Sequence, residues 1–207
     1  MYRRKDAFYD RAKAAGYRSR SAFKLLELAQ RARLIRRGDV VIDLGAWPGG
    51  WLQVAAQLTG PSGRVIGLDL QRIDALPDLH VVSIVGDILD PTVQERVVTA
   101  CGGPADVLLS DLAPKLSGVR ARDEAQAIAL AESVLRLATH TLKADGRLLI
   151  KLFTNAELSA YLRRLRTIFR RVSTTRPEAT RKASSEIYAI AIGYIPASSR
   201  PTTEPST

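Results

Sequence analysis

An α/β fold, with a mostly parallel sheet covered by helices on both faces, is what this sequence predicts, and three observations carry it. Short apolar runs rich in Val, Ile and Leu alternate with helical patterns from residue 40 onward. The first of those runs ends in a glycine-rich turn, Asp43-Leu-Gly-Ala-Trp-Pro-Gly-Gly50, that opens a helix. Two further strand-like runs close the chain with no helix between them.

Taken in order, residues 6–15 and 21–34 read as two helices, with Ser19 or Ser21 as the N-cap of the second. Residues 40–44, 65–68, 81–85, 107–110 and 148–153 read as buried strands, and helices are expected near 50–59, 92–101, 121–142 and 155–169. Residues 171–176 and 186–195 are strand-like and joined by a polar, basic loop. That predicts an antiparallel hairpin finishing a seven-stranded sheet. The chain divides into a basic N-terminal helical extension (1–37), the sheet domain (38–195) and a tail (196–207) rich in Ala, Ser, Pro and Thr that is expected to be disordered.

At 207 residues and 46% hydrophobic, the chain can bury the core of one such domain. Its formal charge of +10 is unevenly spread. Residues 1–37 carry twelve Lys/Arg against three Asp/Glu, and residues 160–182 eight against one, while residues 38–159 hold ten against fifteen. An acidic body between basic ends suggests a nucleic acid docked around a site for a cationic cofactor. The single cysteine, Cys101, excludes an internal disulfide framework and fits a reducing compartment. No secretory signal is visible, and the apolar stretch 187–195 is too short to span a bilayer. The expectation is a cytoplasmic protein with no membrane partner.

The glycine turn narrows the cofactor. A dinucleotide fingerprint wants glycine where Trp47 stands, so that a pyrophosphate can approach the backbone. Trp47 and Pro48 oppose that approach, and Asp43 places a carboxylate beside the turn. S-adenosylmethionine, a sulfonium with an amino group and no phosphate, fits better. Gly45, Gly49, Gly50 and Trp51 would offer backbone to it, and Asp43 would meet its cationic methionine end. Asp69, followed by Leu70, ends the second strand where a carboxylate accepts both ribose hydroxyls; Asp87, followed by Ile88, ends the third and could accept the adenine amine. Trp47 either walls this pocket or packs on the following helix.

The acceptor follows partly by exclusion. Methylation at carbon 5 of a pyrimidine needs a cysteine nucleophile, and Cys101 lies at the far end of a helix. Amino methylation of a base uses an Asp/Asn-Pro-Pro-aromatic turn, whereas Asp111-Leu-Ala-Pro114 has no aromatic. His80 and His140 are isolated, so no metal is expected. What remains is Asp111 at the end of the fourth strand and Lys151 inside the apolar fifth, on neighbouring strands where they can pair. A structural ion pair is the competing account. Glu186, at the start of the last strand, is the next candidate.

Ser19-Arg20-Ser21-Ala22-Phe23-Lys24-Leu25, the Asp43–Trp51 turn, Asp111-Leu-Ala-Pro114, Lys151-Leu-Phe153 and Ser185-Glu186-Ile187-Tyr188 together resemble the FtsJ/RrmJ family. Its members are ribosomal RNA large-subunit methyltransferases of type E (RlmE-like). The resemblance runs from residue 6 to residue 195 and implies a Rossmann-like class I S-adenosylmethionine-dependent methyltransferase. It further implies 2′-O-methylation of a uridine in the A loop of 23S-type ribosomal RNA on the large ribosomal subunit; a monomer is expected. The family's Lys-Asp-Lys-Glu tetrad falls on Lys24, Asp111, Lys151 and Glu186, with Asp111 also beside the cofactor. Without the resemblance, Lys24 reads as an exposed helix lysine. Trp47, where many relatives have alanine, and Lys115, where asparagine is common, depart from the family pattern.

Lys151 would touch the 2′-oxygen, either taking its proton or stabilising the alkoxide, and Asp111 would orient it. Arg3, Arg4, Lys5, Arg11, Lys13, Arg18 and Arg20, with Arg181 and Lys182 in the basic 163–182 region, would hold phosphates. The competing functions are 2′-O-methylation of another RNA such as transfer RNA, and non-catalytic RNA binding in ribosome assembly.

Overall fold

The computed structural model describes residues 7–115, 117–180 and 184–200. Seven strands form one sheet in the order β3-β2-β1-β4-β5-β7-β6. They are β1 (Val40–Leu44), β2 (Arg64–Asp69), β3 (Val81–Val85), β4 (Ala105–Ser110), β5 (Leu142–Phe153), β6 (Phe169–Thr175) and β7 (Glu186–Tyr194). The helices are α1 (Ala7–Ala14), α2 (Ala22–Ala32), α3 (Gly50–Thr59), α4 (Pro91–Cys101), α5 (Arg120–Thr141) and α6 (Leu158–Ile168).

Side chains alternate across the sheet and so divide the core in two. Ile42 and Leu44 of β1 join a cluster with Val97 of α4, Leu137 of α5 and Leu165 of α6. Val41 joins the opposite cluster, with Leu25 and Leu28 of α2 and Leu52 and Ala55 of α3. The N-terminal extension is therefore part of one helical layer. In α2, Ala22, Leu25, Leu28 and Ala29 recur at helical spacing and are all buried. Lys24 precedes Leu25 on the margin of that face and is buried with it, at 7% exposure. The helix ends where Arg33 adopts a left-handed conformation (φ 48°).

Beneath the sheet, Arg147 fixes the extension to the core. Its guanidinium donates to the Leu34 carbonyl at 2.8 Å and pairs with Asp39 at 3.0 Å, all three groups being buried. Asp106 stands 3.7 Å away and also pairs with Lys143.

The local detail departs from expectation at three places, the α2 cap, the start of β5 and the tail. Ser21 occupies the N-cap of α2 but has helical angles and makes no side-chain cap; its hydroxyl lies 2.7 Å from that of Ser19 instead. Strand β5 starts at Leu142, six residues before the apolar run, because Lys143-Ala-Asp-Gly146, which reads as a turn, is carried in the strand with Asp145 at φ 62°. The closing hairpin forms as expected, and within it β7 runs antiparallel between β5 and β6, which leaves β6 at the edge. The tail begins with a 3-10 turn at Ala197–Ser199. No helix among the described residues is long and apolar enough to cross a membrane.

Candidate active site

Four strand ends, those of β1, β2, β4 and β5, gather the predicted residues along one edge of the sheet. Lys151 sits directly opposite Tyr188 in the antiparallel β5–β7 register, and Phe153 opposite Glu186. The Lys151 ammonium lies 3.1 Å from Asp111 Oδ1 and donates to the Asp111 backbone carbonyl at 2.6 Å. Lys24 reaches the same place from α2, donating to Glu186 Oε2 at 3.0 Å and to the Tyr188 hydroxyl at 3.1 Å. That hydroxyl in turn donates to Asp111 Oδ1 at 2.6 Å. Lys24, Asp111, Lys151 and Glu186, drawn from α2, the β4–α5 loop, β5 and β7, thus form one hydrogen-bonded cluster closed by Tyr188.

The electrostatics follow from burial. Lys24 and Lys151 are 7% and 8% exposed, and each faces a carboxylate, at 3.0 Å and 3.1 Å. Half-burial pushes the Glu186 carboxyl up, but the charge and hydrogen bond of Lys24, together with Lys151, outweigh it and hold the group below its ordinary value. The Tyr188 phenol is driven up by burial and then by the Asp111 carboxylate that accepts its proton, so it stays a neutral donor. Tyr188 was missed as a site residue. Its signal was the strand period, which puts it two residues after Glu186 on the same face.

Asp43 lies beside this cluster at the end of β1. It is fully buried, and neither carboxylate oxygen has a hydrogen-bond partner among the described residues. Burial, then the nearby carboxylates of Asp111 and Asp69, push its pKa well above the ordinary carboxylate range. An orphaned carboxylate among other acids is a place for a cation. The turn above it is shaped for close approach. Gly45 has φ 81°, with a would-be Cβ only 3.1 Å from the Leu112 backbone nitrogen, and Gly49 caps α3 at φ 109°. Gly50, Trp51 and Leu52 then present first-turn N–H groups that no helical carbonyl can accept. These residues fit a cationic, phosphate-free ligand such as S-adenosylmethionine.

The remaining predicted cofactor residues are arranged as follows. Asp69 accepts from the Trp47 and Gln71 amides, each at 2.9 Å, and so is held at the end of β2. Asp87 is exposed, with Oδ1 on the Leu89 amide. Ile88 is buried, whereas Leu70 is 69% exposed. Trp47 is half-exposed and Pro48 partly buried, and Trp47 takes no part in the core beneath α3. Trp51 is buried, with its indole N–H on the Ser21 carbonyl at 2.8 Å and its ring 6.2 Å from that of Tyr188. A groove is lined by Pro114, Phe153, Thr154, Asn155 and Ser185, and the Lys151 ammonium lies 5.9 Å from the centroid of that Phe153 ring. Lys115 is exposed beside it. Cys101 is buried at the far end of α4, where burial pushes its thiol up to about 11, so a thiolate nucleophile is not available.

The predicted phosphate ligands divide. Arg3, Arg4, Lys5, Arg181 and Lys182 lie outside the described residues. Lys13 is exposed, Arg11 lies over the rings of Phe8 and Phe23, and Arg20 is partly buried. The Arg18 guanidinium donates to the carbonyls of Pro48, Asp74 and Ala75.

A seven-stranded, mostly parallel sheet with one strand reversed near its edge, carrying a glycine turn and buried acid at β1, defines a Rossmann-like class I S-adenosylmethionine-dependent methyltransferase fold. A ribosomal RNA methyltransferase from Plasmodium falciparum shares the fold with a TM-score of 0.75 at 24% identity, over 86% of this chain and 98% of that one. The sequence profile of the FtsJ-like methyltransferases matches residues 17–194, and the chain belongs to that family. Relatives named ribosomal RNA large subunit methyltransferase E are 44% identical in Methanothermobacter thermautotrophicus (91% of this chain, 89% of the relative) and 45% in Alkalilimnicola ehrlichii (91% and 90%).

Proposed function

We propose that the protein transfers a methyl group from S-adenosylmethionine to the 2′-hydroxyl of a uridine in large-subunit ribosomal RNA, acting on the large ribosomal subunit. The observation that carries this reading is the convergence of Lys24, Asp111, Lys151 and Glu186 beside the orphaned Asp43 carboxylate. The name shared by the relatives supports the choice of RNA.

Asp43, the glycine turn, Asp69 and Asp87 would hold the cofactor, whose sulfonium supplies an electrophilic methyl group. The protein's own part is to align a poor nucleophile and deal with its proton. Asp111 occupies two of the three outward positions on Lys151 Nζ, through its carbonyl and its carboxylate, and leaves the third for the acceptor oxygen. As a lone pair, that position takes the hydroxyl proton; as an N–H, it stabilises the forming alkoxide. Glu186 and Tyr188 fix Lys24, which adds a second positive charge beside the developing oxyanion. The Pro114–Phe153 groove gives a nucleotide room next to Lys151, and the exposed cations of the extension are suited to phosphates.

The test is methyl transfer from labelled S-adenosylmethionine to ribosomal particles, free ribosomal RNA and transfer RNA, with mass spectrometry locating the product. A 2′-O-methyluridine in large-subunit RNA is the expected result. Label on a base, or only on transfer RNA, would overturn the proposal.

A further inference from the structure

The sequence places Arg18 among the phosphate ligands, yet its side chain is built into the protein. It lies in the link between α1 and α2. Its Nη1 donates to the Asp74 carbonyl at 2.6 Å and to the Pro48 carbonyl at 3.4 Å, and its Nη2 donates to the Ala75 carbonyl at 2.9 Å. Its backbone N–H donates to Gln53 Oε1 on α3 at 2.8 Å, and Gln53 returns a bond to the Gly16 carbonyl at 2.9 Å. Gly49 lies directly against it: a Cβ there would stand 2.9 Å from Arg18 Nη1 and 3.1 Å from its Cδ. Pro48 and Gly49 belong to the glycine turn; Asp74 and Ala75 belong to the segment that follows Asp69. One guanidinium therefore joins the two loops that carry the candidate cofactor contacts, and does so from the RNA-facing extension.

We propose that Arg18 is a positioning residue for the cofactor pocket, setting the spacing between the glycine turn and the segment after β2, and that it is not a phosphate ligand. A planar fork with several fixed donors can serve carbonyls on two loops at once; the compact ammonium of lysine cannot. The inference rests on the S-adenosylmethionine reading above.

The test compares wild type, Arg18→Ala and Arg18→Lys by calorimetry with S-adenosylmethionine, by RNA binding across a salt series, and by hydrogen exchange of folded protein. Loss of charge-assisted bonds should raise the cofactor Kd about tenfold or more in Arg18→Ala, and by less in Arg18→Lys. RNA affinity and its salt slope should stay unchanged, and exchange should quicken at residues 70–76 but not in β5 or β7. If Arg18→Ala does not fold, the Arg18→Lys data decide, since a global loss of stability would quicken exchange throughout. Unchanged cofactor affinity in the folded variants overturns the proposal, as does a salt slope reduced by about one, the signature of a lost phosphate contact. A wild-type protein that binds no S-adenosylmethionine overturns the functional reading itself, and this one with it.

Discussion

Asp43 shows how a single residue can place binding ahead of stability. Its pKa is raised by burial and by two neighbouring carboxylates, so the folded protein holds a proton that the unfolded chain releases. Folding stability should therefore fall as pH rises above the ordinary aspartate value and until the folded group ionises. Asp43→Asn removes the buried ionisable group. It should raise the melting temperature of the cofactor-free protein by the equivalent of about 1–3 kcal/mol while abolishing S-adenosylmethionine binding in calorimetry. Glu186 works in the opposite sense. Its depressed pKa contributes stability present above its unfolded value and lost as pH falls through the folded one. For turnover, Lys151→Ala should lower the single-turnover rate by about a thousandfold or more, with cofactor affinity retained. Tyr188→Phe should be milder in rate, because Lys151 still holds Asp111, and should cost about 1–3 kcal/mol in denaturant melts for the lost buried bridge.

The elements matter through how they meet. Lys24 acts at the site only because α2 lies in the same layer as α3, on the face of the sheet that carries Tyr188 and Ile190. Arg147 holds the far end of that arrangement, joining the Leu34 carbonyl and Asp39 to β5. Arg147→Ala would leave buried Asp39 without its partner. The expected loss is about 3–5 kcal/mol in chemical unfolding, with S-adenosylmethionine affinity of the remaining folded protein close to wild type because the site is at the opposite edge of the sheet. A drop in affinity without a drop in stability would contradict that division of labour. The β7 insertion has a similar consequence. Placing β7 directly against β5 brings Glu186 and Tyr188 opposite Phe153 and Lys151, which a simple terminal hairpin at the sheet edge would not do.

At the scale of the whole molecule, charge is segregated. The acidic sheet domain holds Asp43, Asp69 and Asp111 around the cofactor side, and the formal charge of +10 is carried by the extension and the 160–182 region. RNA binding should therefore weaken steeply with salt, and replacing an exposed cation such as Lys13 by alanine should reduce the slope of log affinity against log salt by about one if it contacts a phosphate. Arg18→Ala offers the internal comparison, since Arg18 carries the same formal charge in the same segment but is bonded to the Asp74 and Ala75 carbonyls.

By itself, the sequence determined the alternating sheet architecture, the glycine turn, the acids at the strand ends and, through its resemblance to a family, the four residues that converge. Those are consequences of local pattern: apolar runs of period two, a turn that only glycines allow, and a lysine set in an apolar strand. Tertiary structure alone decided the rest. Lys24 and Arg18 are cations on neighbouring turns of a basic segment, and nothing in their local sequence distinguishes an ammonium buried against Glu186 from a guanidinium clasping three carbonyls, or either from a solvated charge. Tyr188 became a bridge because the β5–β7 register set it opposite Lys151. Burial and partner choice depend on residues up to about 160 positions away, as in the Lys24–Tyr188 bond, and the chain must close into its layers before they exist.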